Sequence, residues 1–368
     1  MGKVRKKKFS AGLTVFLAIV CLLVGCGIGL VGGFTADALT YKSDEAPAMH
    51  VEGVLQVHFV ELGNKYTGDC TYIKAGDTDI LIDAGSRTDS VTAISEYINQ
   101  YVTDGTLEYV IVTHAHQDHY AGFTKRNGSI FDLYECGVII DFARTNQDNK
   151  PGSMYANYLA EREDEEAAGA THYTARECIE QGKNVFDLGS GVTMTVLDSY
   201  YYYNNSSTEN DYSVCTLFTC GEDNYLFTGD LEEAGEKKLV EMNDLPEVTL
   251  YKAGHHGSKT SSSTDLLSVI KPEIVCVCCC CGSPEYTKTD ANQFPTQQFV
   301  DHVAPYTDKV YVTTLCIDYD AGTFEPMNGS IVVATDGRGS AVTCANSDKV
   351  LKEWDWFKQH RTCPDAWK

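Results

Sequence analysis

The sequence predicts a layered α/β domain preceded by a membrane or signal segment. Three observations carry this. Strand-like apolar runs recur from Val54 to Ala334, amphipathic helical patterns lie between them, and only one apolar stretch is long enough to cross a bilayer. A multi-span membrane protein is thereby excluded. Hydrophobic residues at 43% and charged residues at 22% are globular values, which also exclude disorder or coiled coil over most of the 368 residues.

The elements follow in chain order. Residues 1–8 form a basic tail, Lys3-Val-Arg-Lys-Lys-Lys8, and Phe9–Phe34 carries no charge. About 20 apolar residues span a bilayer, so this run suffices. The basic flank precedes it and Asp37 follows, which keeps the N-terminus cytoplasmic and the remainder outside. The expected form is an uncleaved anchor in the cell membrane with an extracytoplasmic domain. A lipoprotein, from Leu23-Val24-Gly25-Cys26, and a secreted form cleaved near Ala36-Asp37-Ala38 remain open. Residues 35–52 read as a linker, 53–345 as one globular domain, and 346–368 as a C-terminal extension.

Within the domain, strands are expected at Val54–Val60, Cys70–Lys74, Ile80–Asp83, Tyr109–Thr113, Val138–Asp141 and Val192–Leu197. Further ones follow at Val214–Cys220, Tyr225–Thr228, Val248–Lys252, Ile274–Cys278, Val310–Thr313 and Ile331–Ala334. Ser90–Tyr101 places Val91, Ile94, Ile98 and Tyr101 on one helical face. Met154–Ala168, Glu232–Met242 and Thr296–Val303 also read as helices. The Cys276–Cys281 run reads as a buried strand, because a free thiol behaves as a small hydrophobe. A soft-metal site or vicinal disulfide is the alternative. Tyr200–Tyr203 reads as an exposed loop or as an aromatic lip that could hold a base or a quaternary ammonium.

Charge narrows the partners. The chain carries a net charge of −23. Without Lys3, Arg5, Lys6, Lys7, Lys8 and Asp37, the part beyond residue 38 stands at −27. Such a surface repels phosphate backbones, so long duplex nucleic acid is not an expected partner.

The chemistry concentrates in two histidine clusters. Val110–Thr113 should be a strand, with His114-Ala115-His116-Gln117-Asp118-His119 at its end. His114 and His116 can grip one metal ion, and Asp118 and His119 a second; imidazole and carboxylate suit Zn, Mn or Fe. Tyr225–Asp230 reads as a buried strand ending in Gly-Asp, where the Asp230 carboxylate can bridge two cations. A third strand ends in Gly254-His255-His256-Gly257-Ser258-Lys259-Thr260-Ser261. One histidine of that pair would ligate and the other would orient a ligand or face substrate.

HAHQDH, the Asp83-Ala84-Gly85 turn, FTGD and GHHGSKTSSS, in this order, resemble the metallo-β-lactamase fold, and the last motif is similar to its ComEC competence-type branch. The likeness covers about residues 53–345. Gly68-Asp69-Cys70 resembles that branch's Gly-Asp-Ser segment with Cys for Ser, and Asn210-Asp211-Tyr212-Ser213 resembles its Asn-x-x-Ser segment. The resemblance implies a four-layered αββα sandwich holding two divalent ions, Zn or Mn. It implies His114, His116, Asp118, His119, Asp230 and His255 as metal ligands, with Asp118, His256 and Lys259 catalytic. Asp83, Asp69, Asn210, Ser213, Ser258 and Ser261 would support ligands or substrate. Many fold relatives carry a further mid-chain histidine ligand; His172 is the only intervening one here and its context does not match.

The expected function is a surface-exposed metal-dependent hydrolase, foremost a phosphodiesterase of nucleic-acid or phosphorylcholine type. A metal-bridging hydroxide would attack, and Lys259 with Ser258 and Ser261 would hold phosphate oxygens. A helix cap is the plain alternative for the serines. Hydrolysis of ester, lactone or amide bonds is the second function, and a non-catalytic surface binding module the third.

Overall fold

Successive strand residues face opposite sides, so a strand buried on both faces must be apolar throughout. Several strands of this chain are, and they build two sheets. The computed structural model describes residues 52–368; the basic tail, the apolar segment and nearly all of the linker lie outside the described residues. Among the described residues no helix is long and apolar enough to cross a membrane.

In the first half of the domain run β1 (Leu55–Phe59), β2 (Asp69–Ala75), β3 (Thr78–Gly85), β4 (Thr106–Val112), β5 (Glu135–Asp141) and β6 (Thr171–Thr174). Then come β7 (Val185–Asp187), β8 (Val192–Val196), β9 (Thr216–Cys220), β10 (Asp223–Phe227), β11 (Leu250–Lys252), β12 (Ile274–Cys281), β13 (Val310–Asp318) and β14 (Thr323–Pro326). Finally β15 (Ile331–Thr335) and β16 (Ser340–Cys344) return to the first sheet. The sheet orders are β16-β15-β1-β2-β3-β4-β5-β6 and β14-β13-β12-β11-β10-β9-β8-β7. Both are mixed: β3 to β6 run parallel in the first and β10 to β13 in the second.

One hydrophobic core joins the sheets. Val57 and Phe59 of the first share it with Phe218, Tyr225 and Phe227 of the second, and the Phe59 and Phe227 rings meet at 6.3 Å. Strand β12 shows the alternation plainly. Cys276 and Cys278 join that core, whereas Val275, Val277, Cys279 and Cys281 join another beneath helices of the second sheet. The cysteine run is thus a buried strand, and all the described cysteines are free thiols.

The helices are α1 (Ser90–Ile98), α2 (Gln117–Tyr120), α3 (Ile130–Leu133), α4 (Met154–Ala168), α5 (Ala175–Glu180), α6 (Glu233–Met242), α7 (Thr264–Ile270), α8 (Gln297–Val303) and α9 (Asp355–His360). Helix α1 buries Val91, Ile94 and Ile98, as its spacing predicts. It ends at Ile98, short of the expected Tyr101. Ser153 caps α4 by accepting from Ala156 N, and Thr296 caps α8 the same way through Phe299 N. Leu351, Phe357 and Trp367 of the C-terminal stretch pack into the second core, so residues 346–368 fold with the rest.

Candidate metal centre

Parallel strands deliver side chains to one edge of a sheet, at their carboxyl ends. Here β3, β4, β10 and β11 each end in a residue that reaches one buried point between the sheets. Strand β3 leads to Asp83, held at φ 59° in the left-handed region. Its Oδ1 accepts the Thr113 N–H at 2.8 Å, and its Oδ2 accepts the Thr113 hydroxyl at 2.7 Å and His119 Nδ1–H at 2.8 Å. With Nδ1 so occupied, His119 presents Nε2 forward, 3.0 Å from Asp230 Oδ2.

Strand β4 leads to His114, whose Nε2 lies 3.1 Å from His116 Nδ1 and whose Nδ1 lies 3.4 Å from Ser213 Oγ. Beyond β10, Gly229 turns the chain at φ 54°, and a Cβ there would fall 2.7 Å from Ser213 Oγ. That same Ser213 oxygen accepts the Asp230 N–H at 3.0 Å, so only glycine lets the two approach.

Beyond β11, His255 and His256 are both left-handed, at φ 47° and 55°. The conformation costs a non-glycine residue about 1 kcal/mol or more. It turns the two rings apart. His256 Nδ1 donates to Cys278 O at 2.9 Å and lies 3.2 Å from Asp69 Oδ1. Its Nε2 lies 3.3 Å from Asp230 Oδ2 and 3.4 Å from Asp118 Oδ2. Asp69, His119, Asp230 and His256 are all buried, and each offers a ligand atom within 4.8 Å of the others.

Electrostatics tie this group together. Burial alone would push His119 down, but the Asp230, Asp83 and Asp69 carboxylates outweigh it and hold the imidazole well above its ordinary range. His256 is raised in the same way, burial being outweighed by the Asp230 and Asp69 carboxylates. His114 is instead pushed well down, by burial and by the charge of His119. Burial would raise the Asp69 carboxyl, yet Lys252, His256 and His119 bring it below its usual value. The Lys252 ammonium, buried like its partner, stands 2.5 Å from Asp69 Oδ2.

These residues fit a cation. His119 Nε2, His256 Nε2 and Asp230 Oδ1 are buried, and although carboxylates stand near the two nitrogens, none of the three atoms makes a well-directed hydrogen bond. Each such atom costs about 1–3 kcal/mol. A positive ion among two facing imidazole nitrogens and a carboxylate answers that deficit, and the donor set suits a divalent transition metal.

Above the group opens a cleft of about 340 Å³ lined by Arg87, His116, Gln117, Asp118, Asp230, His255 and Tyr286. Of the residues singled out in the sequence, His114, His116, Asp118, His119, Asp230 and His256 gather here, with Asp83 behind His119. The histidine pair, either member of which could ligate on sequence grounds, divides between two positions. His256 enters the buried group, while His255 faces the cleft with Nε2 4.0 Å from Asp230 Oδ2 and Nδ1 2.9 Å from Thr260 Oγ1. Asp69, expected to support substrate, stands inside the group instead. Asn210 donates to Glu232 at 2.9 Å and approaches His255 Nδ1 at 3.5 Å.

Lys259 departs from its expected place, and two readings left open by the sequence are decided. Lys259 is exposed and does not line the cleft, because it follows Ser258 out of the histidine turn. Ser258 pairs with Thr260 at 3.2 Å, and Ser261 donates to Leu231 O at 2.6 Å. Both serines thus brace the loop, and Ser263 caps α7 by accepting from Leu266 N. The Tyr200–Tyr203 patch does not line the cleft either. Tyr202 is buried, and Tyr203 and Tyr200 lie under the protein's own Arg176 and Lys238, at 5.2 and 5.9 Å. The aromatic groups at the site are Tyr286 and Phe294, which sequence patterning did not single out; neither they, Arg87 nor Lys252 belong to a recognisable local motif.

The family model described as the metallo-β-lactamase superfamily matches residues 63–125, a span that contains Asp69, Asp83 and all of His114–His119. Over that span the chain is similar to the metallo-β-lactamase superfamily. Its fold is the α/β metallo-β-lactamase fold with two mixed sheets. The remaining members of the buried group, Asp230 and His256, come from beyond the matched span and join it only through the fold. The chain is distantly homologous to ComE operon protein 3 of Bacillus subtilis, at 22% identity over 172 residues, 45% of this chain and 19% of that protein. It is likewise homologous to Recombination protein 2 of Haemophilus influenzae, at 35% over 69 residues, 19% of this chain and 8% of that protein. The alignments thus span under a fifth of these relatives' lengths. Similar solved structures include the metallo-β-lactamase fold protein YhfI from Bacillus subtilis, with a TM-score of 0.42 at 12% identity, covering 74% of this chain and 99% of that one. The short form of human tRNase Z gives 0.37 at 14% identity, covering 74% and 99%.

Proposed function

We propose that this chain is a metal-dependent phosphodiesterase, held in the cell membrane by its N-terminal segment with the hydrolase domain outside. On this reading the domain is a four-layered αββα sandwich. His114, His116, Asp118, His119, Asp230 and His256 would hold two divalent ions, Zn or Mn. The observation that carries the reading is the set of buried nitrogen and oxygen atoms on His119, His256 and Asp230, none with a well-directed hydrogen bond, at the floor of a cleft. Ions bound there would supply an ionised water as nucleophile and offset charge on the attacked phosphoryl group.

The chain's own residues do the positioning. Asp83, fixed by two bonds from Thr113, sets the tautomer of His119, and Cys278 O with Asp69 sets that of His256. Ser213 fixes both the backbone of Asp230 and the back of His114. Lys252 balances the Asp69 charge, so the site holds one acid fewer for the ions to neutralise. The basic flank before Phe9–Phe34 supports the orientation across the membrane.

The test is hydrolysis of bis-p-nitrophenyl phosphate and of p-nitrophenyl-phosphorylcholine by the full chain with Mn or Zn. Metal-dependent turnover that falls to background in Asp118→Ala is expected. Silence on both substrates with metal bound would sink the phosphodiester reading and move the assignment to ester or amide substrates.

A further inference from the structure

The cleft above the buried group has an unusual mouth. Its one permanent cation among the lining residues is Arg87, and that charge is already matched: Arg87 Nη2 lies 2.6 Å from Glu285 Oε1. The guanidinium also lies over the Tyr66 ring at 4.1 Å, which fixes its plane. The next residue, Tyr286, is exposed, and its hydroxyl donates to Asp118 Oδ2 at 2.5 Å.

The Tyr286 ring is not free to wander. It packs on Phe294 at 5.7 Å, and Phe294 packs on His256 at 5.9 Å and His255 at 5.8 Å. Glu285 is itself pinned, its Oε2 accepting the Thr67 N–H at 2.9 Å. A phenol keeps its proton at neutral pH, since its ordinary pKa is about 10. The mouth therefore offers a fixed neutral donor and a neutralised guanidinium, directly over Asp118.

We infer that Tyr286 is the specificity-determining donor of this site, grasping a non-bridging oxygen of a singly charged phosphodiester, and that the Arg87–Glu285 pair disfavours doubly charged phosphate. The inference rests on the phosphodiester reading and deepens it. A dianion would need an unmatched positive charge at the mouth, and Glu285 has removed the one available. A monoanion needs only a directed hydrogen bond beside the metal centre, which the phenol gives. Once Asp118 turns its oxygen to a cation, the Tyr286 hydroxyl is released to the incoming ligand with little movement.

The experiment measures binding rather than turnover. The full chain, loaded with Mn, is titrated calorimetrically with diethyl phosphate and with inorganic phosphate. Wild type should bind diethyl phosphate in preference, and Tyr286→Phe should weaken that binding about tenfold or more with metal content unchanged. Glu285→Gln should free the Arg87 charge and raise the affinity for inorganic phosphate relative to diethyl phosphate about tenfold. Equal binding of diethyl phosphate by wild type and Tyr286→Phe, or no binding by wild type, overturns the inference, as does an unchanged ligand ratio in Glu285→Gln. The two readings fail separately: a protein that binds diethyl phosphate through Tyr286 yet turns over no phosphodiester keeps the donor and loses the hydrolase.

Discussion

Lys252 shows how a single residue escapes one-dimensional reading. At the end of a strand, a lysine reads as solvent-facing. In the fold, alternation along β11 turns Tyr251 toward the helices and Leu250 into the core between the sheets, and Lys252 follows Leu250 inward to Asp69. A buried pair contributes little net, but breaking it strands a charge. Lys252→Met should therefore lower the unfolding free energy of the metal-free protein by about 3 kcal/mol. Saturating Mn should recover part of the loss, because a cation can take over Asp69. Urea melts with and without Mn check this, and an unchanged midpoint would mean that Asp69 is carried protonated. The division of labour between His255 and His256 has the same character. Two adjacent left-handed residues decide which ring enters the buried group, and nothing in a His-His dipeptide announces that.

Elements carry the next level of the argument. Helix α2 holds Asp118 and His119 in a single turn that lies against β3, and Gly122 lets it lie there. A Cβ on Gly122 would stand 2.5 Å from Ala84 O and 2.9 Å from Ala84 Cβ. Gly122→Ala should thus cost about 1–3 kcal/mol of stability by overpacking. It should also weaken Mn binding, because the turn bearing Asp118 and His119 is pushed off β3. Paired urea melts and metal titrations read both effects, and a variant that loses stability but keeps full Mn affinity would separate α2 from the site. The strands divide as instructively. Those inside each sheet were legible from their apolar runs. The four that were not, β6, β7, β14 and β16, are the sheet edges. An edge strand pairs on one side and stays partly wet, so its burial alternates weakly and its sequence, such as Thr-Phe-Glu-Pro, carries no apolar signal.

At the scale of the whole molecule, part of the acid dependence of stability should come from a buried histidine outside the Asp69–His119–Asp230–His256 group. His58 on β1 is fully buried among Tyr72, Tyr97 and Tyr101, and burial lowers its pKa from 6.5 to about 3. The unfolded chain takes up this proton near pH 6.5 and the folded one only near 3. The stability it contributes is therefore complete above pH 6.5 and is lost as pH falls toward 3. Between pH 6.5 and 5 the loss is about 2 kcal/mol. Denaturant melts at pH 7 and 5 should show that much less pH dependence in His58→Phe than in wild type, and equal dependence would place the acid sensitivity elsewhere.

The sequence by itself determined the class of the fold, most of its strands and the dense set of imidazoles and carboxylates in the His114–His119 segment. Those properties are local: they rest on apolar period, on the ends of strands and on ligand types set close together in one turn. Only the tertiary structure decided that Asp69 and Lys252 stand inside the buried group, that His256 enters it in place of His255, and that Tyr286 and Arg87 guard the cleft while Lys259 does not. These depend on two sheets meeting across one core and on a few left-handed backbone angles; partners such as Asp69 and Lys252, Asp118 and Tyr286, or Arg87 and Glu285 lie more than a hundred residues apart and share no spacing that a linear pattern could display.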